Sequence, residues 1–408
     1  MRTGGAKRIA TALIAVAGLS ACVAPQTKPK PGAIRINENP FPSTYQPYGG
    51  VPTLIRGATI LDGEGGRIDN GSILLVDGKV QAIGGADIGA PEGATVIDAQ
   101  GRYVTPGIVD VHSHLGNYPS PGTASHSDGN EATSPARPEV WAEHSVWPQD
   151  PGFSRALANG GITALQILPG SANLFGGRSV VLKNVPARTM QGMKFPNAPY
   201  GLKMACGENP KRVYGSKNQM PATRMGNIAY VRQTWAKAKE YDRKWDKYEK
   251  AGGDIPARDL AMDTLRGVLD GKILIHNHCY RADEMAIMID VAKEFGYKIA
   301  SFQHGVEAYK VADLLRENGI CGALWADWYG FKMESYDAIN ENIAFVHNAG
   351  ACAIVHSDDA NGIQRLNQEA AKAMAAGRRA GIGISEEVAW TWLSANPAKS
   401  LGIFDQTG

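Results

Sequence analysis

The sequence predicts an α/β protein, a (β/α)8 TIM barrel with a small, incomplete β-sandwich domain. Eight short apolar runs of β type alternate with helical patterns after residue 103, and shorter β-type runs with turn signals precede them. A length of 408 residues suits one large domain of this kind. We divide the chain into a small β domain at 51–103, a barrel at 104–395 and the start of a return to the β domain at 396–408.

Overall composition restricts the classes of function. Hydrophobic residues make up 43% of the chain and charged residues 20%, which is typical of a globular protein. Lys and Arg number 42 against 40 Asp and Glu, a net charge of +2. This balance provides no strongly positive face for phosphates, so we expect no nucleic-acid partner.

The first residues have the pattern of an export signal. Three cations precede an apolar run at 9–19, which is too short to span a bilayer of about 30 Å. The run ends in Leu-Ser-Ala before Cys22, which resembles the lipobox of bacterial lipoproteins. We therefore expect a signal peptide at 1–21 and lipidation of Cys22. The product would be an exported periplasmic or cell-surface lipoprotein that contacts the membrane only through its anchor.

A proline-rich segment at 22–50 comes next, and its apolar residues show little helical or strand periodicity. It predicts an extended tether between the anchor and the folded protein.

The remaining four cysteines lie in or beside apolar runs of β type: Cys206, Cys279, Cys321 and Cys352. No Cys-x-x-Cys spacing occurs, which disfavours a zinc ribbon. We interpret them as small buried thiols, while disulfide pairing in an exported chain remains the alternative.

The small β domain is predicted from short runs between residues 53 and 104. Asn70-Gly71 and Asp77-Gly78 punctuate these runs, and both dipeptides accept the positive φ of two-residue hairpin turns. The eight predicted barrel strands lie at 103–111, 162–168, 179–182, 201–206, 272–275, 298–302, 321–325 and 351–355. Barrels of this class carry their chemistry at the carboxyl ends of the strands.

Metal-ligand side chains stand at several of those ends. His112 and His114 close the first strand, and the period of two places both imidazoles on one face. Further candidates close the fourth, fifth, sixth and eighth strands, namely Glu208, His276, His304 and Asp358. Imidazole nitrogen and carboxylate oxygen suit a divalent ion such as Zn²⁺, so the sequence predicts a metal site at this rim.

The same positions carry a family resemblance. Thr105-Pro106-Gly107 ahead of the His-x-His motif, followed by strand-end histidines and an aspartate in this order, resembles the metal-dependent amidohydrolase superfamily. The motifs at 160–163, 169–173, 176–178, 207–212 and 396–398 are similar to its imidazolonepropionase-like branch. The resemblance covers about residues 51–408.

The resemblance implies roles for the candidate ligands. His112 and His114 would hold one metal, His276 and His304 a second, and Asp358 would contact the first metal while handling the proton. Glu208 is the candidate bridge between two Zn²⁺ ions, and only one ion is expected if it does not bridge. Lys203, the position that sister families carboxylate, is the alternative bridge, although strand alternation disfavours it.

The implied reaction is hydrolysis of a C–N bond in a small amide, such as a dipeptide or a cyclic amide. A metal-activated hydroxide would attack the carbonyl, with Asp358 as general base and then general acid. Deaminases of the superfamily generally carry a glutamate three residues after the strand-five histidine, where this chain has Cys279. Two alternatives remain open: a mononuclear deaminase or isomerase, and a lipoprotein that binds without turnover.

Candidate substrate-binding residues near the barrel mouth are Arg178, Arg212, Tyr214 and His278. The arginines could meet a substrate carboxylate in a two-pronged contact, or form structural salt bridges. The partner is then a small-molecule amide, and a homo-oligomer stays open. Family members normally continue beyond the end of this sequence, so we interpret the chain as truncated within its β domain.

Overall fold

A computed structural model describes residue 32 and residues 34–407. The predicted signal peptide, Cys22 and the first part of the tether lie outside the described residues. The strands are β1 Thr53–Leu61, β2 Arg67–Val76, β3 Lys79–Gly84, β4 Thr95–Asp98, β5 Tyr103–Val104, β6 Ile108–Ser113, β7 Ile162–Ile167, β8 Phe175–Lys183, β9 Gly201–Ala205, β10 Leu274–Cys279, β11 Ile299–His304, β12 Cys321–Leu324 and β13 Cys352–Val355.

The α-helices are α1 Pro151–Gly160, α2 Met190–Met193, α3 Glu208–Gly215, α4 Arg224–Ala251, α5 Leu260–Leu269, α6 Ala282–Phe295, α7 Ala312–Asn318, α8 Asn342–Asn348, α9 Leu366–Arg379, α10 Glu386–Trp390 and α11 Ala395–Ser400. Short 3-10 helices cover Ala124–His126, Ala142–His144, Ala308–Val311, Met333–Ser335, Gly362–Arg365 and Phe404–Gln406. Within the described ranges, no helix is both long enough and apolar enough to cross a membrane.

The small β domain is a five-stranded sheet. Its order is β3-β2-β1-β4, with β5 also paired to β1. Asp77 lies between β2 and β3 with a φ of 51°, as the predicted hairpin turn requires. The turn predicted at Asn70-Gly71 is wrong, because Asn70 lies inside β2 where the register against β1 shifts. Its positive φ of 51° therefore belongs to a bulge.

All eight predicted barrel strands are present, and they form one sheet in chain order from β6 to β13. Neighbouring strands are parallel with one exception: β8 runs antiparallel to both β7 and β9. The prediction of an all-parallel (β/α)8 barrel is therefore wrong at its third strand. Only residues 168–174 separate β7 from β8, which is too short for the helical crossover that parallel strands need.

The barrel strands alternate between two environments. In β9, Leu202 and Met204 pack into the main apolar core, together with side chains of the surrounding helices. Lys203 lies between them in the sequence and therefore projects to the opposite side, the barrel interior. The strand thus buries apolar side chains under the helices and presents a lysine to the site.

The sequence marks both ends of the helix that follows β10. Helix α6 has Asp283 and Glu284 in its first turn, where negative charge is favourable at a helix N-terminus. It ends at Gly296, which adopts the left-handed conformation with a φ of 74°. This helix returns the chain to the start of β11.

The described part of the predicted tether is not a free linker. Ile36 is buried in a cluster with Tyr241, Trp245 and Tyr248. The carbonyl oxygen of Glu38 accepts a 2.8 Å hydrogen bond from Arg178. Because this stretch contains apolar and hydrogen-bonding groups that match the barrel surface, it packs along the barrel as an arm.

The interpretation of the four cysteines as free thiols is wrong. Cys206 is bonded to Cys279, and Cys321 is bonded to Cys352. The first bridge joins the end of β10 to the residue just after β9, and the second joins opposite residues of β12 and β13. Neighbouring strands bring the paired Cα atoms to 5.3 and 4.4 Å, a separation that a disulfide can span.

Candidate metal centre

Two imidazoles converge on one carboxylate oxygen at the rim of the barrel. Asp358 Oδ1 lies 3.2 Å from His112 Nε2 and 3.3 Å from His114 Nε2. His114 Nδ1 donates a 2.8 Å hydrogen bond to the carbonyl oxygen of Leu168, which leaves Nε2 with a lone pair when the ring is neutral. His112 Nδ1 is held in the same way by Gln303 Oε1 at 2.9 Å.

These three atoms fit a divalent cation. Burial lowers the pKa of His112 well below its usual value, and the positive charge of Lys203 lowers it further, so the ring is neutral. The Nε2 lone pair of His112 then faces the Asp358 carboxylate oxygen, and His114 Nε2 lies beside both. Ligand atoms about 2.0–2.2 Å from a tetrahedral zinc are separated by about 3.3–3.6 Å, close to the distances between these atoms. A divalent cation between these three atoms would be coordinated by both imidazoles and the carboxylate.

A second group of imidazoles adjoins the first. His304 Nδ1 lies 2.9 Å from His356 Nε2, and the ring centroids of His112 and His304 are 4.5 Å apart. Ligand atoms of His112, His304 and His356 all lie within 4.8 Å of one another. The sequence prediction gave no role to His356, although its position after β13, two residues before Asp358, could have indicated one.

His276 and His278 lie at different depths of the barrel. His276 Nδ1 is 2.9 Å from Ser301 Oγ, and its ring would lie 2.8 Å from a Cβ on Gly201. Both contacts belong to the layer below the histidine cluster, so the structure does not bring His276 to the rim. His278, predicted to face the substrate, lies with its ring centroid 4.7 Å from that of His304. Of the two histidines of β10, His278 is therefore the one beside His304.

The structure also shows where the two residues considered as the metal bridge lie, Glu208 and Lys203. Glu208 begins α3, is partly exposed and faces Lys332 at 3.5 Å, outside both groups. Strand β9 ends before Gly207, whose φ of 81° breaks the alternation on which the prediction relied. Lys203 is completely buried and opposite His276 across the β9–β10 pair.

The electrostatics of Lys203 place it among the candidate ligands. Burial lowers its pKa to about 7, against the opposing effect of Asp358. Its positive charge in turn lowers the pKa values of His112, His278 and His356 after the larger effect of burial. A buried, partly neutral amine at the centre of the histidines is a chemically reactive group.

Two of the candidate ligands adopt strained backbone conformations. His304 has a φ of 72° and Asp358 a φ of 104°. Neither is a glycine, so each conformation costs free energy that the surrounding packing must supply. Such strain is concentrated at functional sites because it re-aims a side chain.

The predicted substrate-binding arginines and tyrosine lie elsewhere. Arg178 is buried against the Trp141 ring at 4.1 Å and donates to Thr264 at 2.8 Å. Arg212 is exposed on α3. Tyr214 is buried, and its hydroxyl donates to the carbonyl oxygen of Ser134 at 2.8 Å. Arg178 and Tyr214 therefore tie structural segments together, since their polar atoms are used within the protein, while a substrate-binding role of Arg212 stays a prediction.

The chain is similar to known amidohydrolases over most of its length. A solved amidohydrolase structure from Thermotoga maritima MSB8 superposes with a TM-score of 0.79 at 36% identity, covering 87% of this chain and 90% of that chain. Amidohydrolase tasK of Hapsidospora irregularis is 30% identical over 409 residues, covering 89% of this chain and 40% of that protein. A dihydroorotase of Pelotomaculum thermopropionicum is 30% identical over 119 residues, 29% of this chain and 22% of that protein. The chain thus spans less than half the length of these two curated relatives, and no family model matches it.

Proposed function

Since this chain belongs to the amidohydrolase family, we propose that it is a metal-dependent hydrolase of C–N bonds in small amides such as dipeptides or cyclic amides. One observation carries the proposal: the imidazoles of His112 and His114 and the Asp358 carboxylate converge on a single point. Imidazole nitrogen and carboxylate oxygen are ligands that suit zinc. His112, His114 and Asp358 would hold one ion, and His278 and His304 a second.

Divalent ions bound here would lower the pKa of a water toward about 7 and polarise a carbonyl oxygen. Asp358 supplies the proton transfer. One of its oxygens faces the two imidazoles, and its side chain remains partly exposed at the mouth, where a water and an amide can reach it. The carboxylate would accept a proton from the attacking water and deliver it to the departing nitrogen.

Lys203 is the proposed bridge between the two ions, in place of Glu208. Its neutral amine would attack CO₂, form an N–C bond and lose a proton, which yields a carbamate with two ligand oxygens. The pKa of about 7 that burial gives Lys203 supports this step, because only the unprotonated amine is a nucleophile.

Hydrolysis is favoured over deamination by the residues at the end of β10 and just beyond it. The position three residues after His276 is Cys279, which is used in a disulfide, and the corresponding position after His278 is Arg281. Neither carries the carboxylate that would shuttle a proton to a ring nitrogen. We propose the imidazolonepropionase-like branch on the sequence motifs at 160–163 and 207–212, with an amide as substrate.

Export is part of the proposal. Two disulfides in a chain of this size favour an oxidising compartment such as the periplasm or the cell surface. Together with the N-terminal sequence pattern, they support a lipoprotein anchored at Cys22.

The test combines metal analysis with a panel of dipeptides and cyclic amides. We expect bound divalent metal, amide hydrolysis that a chelator abolishes, and a loss of about 10²- to 10⁴-fold in kcat for Asp358→Asn. Asp359→Asn is the matched control, because Asp359 Oδ1 accepts from the backbone N–H of Asn361 in its own loop. Full metal without turnover on the panel would favour a binding protein, and turnover with a single ion would favour the mononuclear alternative.

A further inference from the structure

The loop after β12 carries an ammonium group to the rim of the candidate metal centre. Lys332 Nζ lies over the ring of Tyr280 at 4.1 Å, and Tyr280 stacks on His304 with centroids 5.4 Å apart. The positive charge of Lys332 contributes to the lowered pKa of His278, after burial and Lys203. This lysine therefore faces the site at short range.

The ammonium of Lys332 is poorly satisfied within the protein. Its side chain is only 17% exposed. The acceptors around Nζ are Asn209 Oδ1 at 3.4 Å, Glu208 Oε1 at 3.5 Å and Glu334 Oε2 at 3.7 Å. Charge-assisted hydrogen bonds are usually about 2.7–2.9 Å long, so no acceptor among the described residues is at full strength. Lys332 thus has two carboxylates within 4 Å but no short hydrogen bond, so its ammonium can still donate to a closer acceptor.

An aromatic wall adjoins this lysine. The ring of Trp325 lies 4.4 Å from His304, and Trp328 lies 4.7 Å from Trp325. Phe331 continues the wall at 5.6 Å from Trp328. Trp325 is held in place because its indole N–H donates a 2.7 Å hydrogen bond to the carbonyl oxygen of Ser357. The wall runs from the histidines to the surface, where Trp328 and Phe331 are exposed.

We propose that Lys332 binds a carboxylate of the substrate while Trp325, Trp328 and Phe331 bind its apolar side chain. The substrate class is then an N-acyl amino acid or dipeptide with a free carboxylate and an apolar or aromatic residue beside the scissile bond. This inference rests on the proposed function and narrows its substrate. It gives Lys332 the carboxylate recognition predicted for Arg178 and Arg212, because the side chain of Arg178 is used in hydrogen bonds within the protein.

Two kinetic probes test the carboxylate contact: N-acetyl-L-phenylalanine and its carboxamide, each assayed by release of acetate. Wild type is expected to prefer the free acid. Lys332→Met should lower kcat/KM for the acid about 10- to 100-fold, mainly through KM, and leave the carboxamide nearly unchanged. Lys332→Arg should retain most of the preference, since it keeps the cation. Lys244→Met is the control, because Lys244 is exposed on α4 and pairs with Glu240.

The aromatic wall has its own variant. Trp328→Ala should reduce the preference for N-acetyl-L-phenylalanine over N-acetyl-L-alanine and leave the preference for acid over carboxamide in place. An unchanged side-chain preference would overturn this part of the proposal.

Binding without turnover separates the inference from the proposed function. The probes are 3-phenylpropanoate and 3-phenylpropanol, which contain no amide bond, measured by titration calorimetry on the metal-loaded protein. A preference for the acid that Lys332→Met removes supports the inference, even if no amide is hydrolysed and the proposed function fails. Amide hydrolysis with an acid preference that survives in Lys332→Met overturns the inference and leaves the function standing.

Discussion

Ser357 Oγ donates a 2.5 Å hydrogen bond to Asp110 Oδ2, and the backbone N–H of Ser357 donates to Asp110 Oδ1 at 3.1 Å. Asp110 belongs to β6 and Ser357 lies just after β13, and these strands are the two ends of the eight-stranded sheet. The described strands show no ladder between β6 and β13, so this buried pair helps to join the edges. It also sets His112, two residues after Asp110, against Asp358.

Ser357→Ala is therefore expected to destabilise the protein by about 1–3 kcal/mol, because a buried carboxylate loses its hydroxyl donor. Urea unfolding measures the change, and the kcat for an amide substrate should fall as Asp358 loses its support. Ser400→Ala is the control, since Ser400 Oγ is buried without a hydrogen-bond partner in the described structure. Equal destabilisation of the two variants would argue against the junction.

Metal content distinguishes Lys203 from Glu208 as the bridge. We expect Lys203→Met to lose at least one of two bound ions, because it removes the nitrogen that would carry the carbamate. Glu208→Gln should keep both ions, since this side chain faces Lys332 and lies outside both groups of candidate ligands. Elemental analysis of the two purified variants after metal loading in bicarbonate gives the answer. Loss of metal from Glu208→Gln alone would make Glu208 the bridge.

The stability of the metal-free protein should depend on pH through Lys203. Burial lowers the pKa of this amine to about 7 in the folded state, against about 10.4 in an unfolded chain. Between these values the unfolded chain binds more protons, so the free energy of unfolding rises with pH. Lys203→Met lacks this slope and is expected to be more stable than wild type at pH 7.

The difference in free energy of unfolding between Lys203→Met and wild type should shrink by roughly 2–3 kcal/mol from pH 7 to pH 9, because each pH unit contributes up to about 1.4 kcal/mol. Urea unfolding of chelator-treated protein in CO₂-free buffer measures it. A difference that stays constant over this range would mean that Lys203 has an ordinary pKa.

Short runs of β type were sufficient to predict the eight strands, because nearly all residues of these strands are buried and each strand contains apolar residues, even where polar side chains interrupt them as in β6 and β10. Strand direction was not predictable in this way: β8 has the same apolar pattern as a parallel strand, and only the short connection from β7 indicates its reversal. The sequence also does not show how deep in the barrel each histidine lies. His276 and His278 share one face of β10, and their assignment depends on where the layer of Ser301 and Gly201 lies.

The prediction of Glu208 as the bridge relied on alternation of side chains beyond the end of β9. Alternation of side chains holds only while the chain stays extended, and the left-handed φ of Gly207 ends it before the glutamate. A glycine directly after a predicted strand could have indicated this break. To predict the disulfides, one must know that β9 pairs with β10 and β12 with β13. Strand pairing is long-range information that the local sequence pattern does not contain.

The two disulfides allow a paired test of stability and site geometry. Cys321→Ala/Cys352→Ala opens a loop with a sequence separation of 31, and Cys206→Ala/Cys279→Ala opens one of 73. Chain entropy predicts a loss of about 4 kcal/mol for each, measurable by urea unfolding.

Of these two disulfides, only Cys206–Cys279 adjoins the candidate ligands. Cys279 directly follows His278, and Cys206 follows the strand of Lys203. We therefore expect Cys206→Ala/Cys279→Ala to retain less metal during dialysis than Cys321→Ala/Cys352→Ala. Both variants are measured without urea, at a pH where both are folded. The bridge between β12 and β13 then serves as the matched control for general destabilisation. Equal metal loss from both variants would show that the Cys206–Cys279 bridge contributes stability but does not hold the ligands in position.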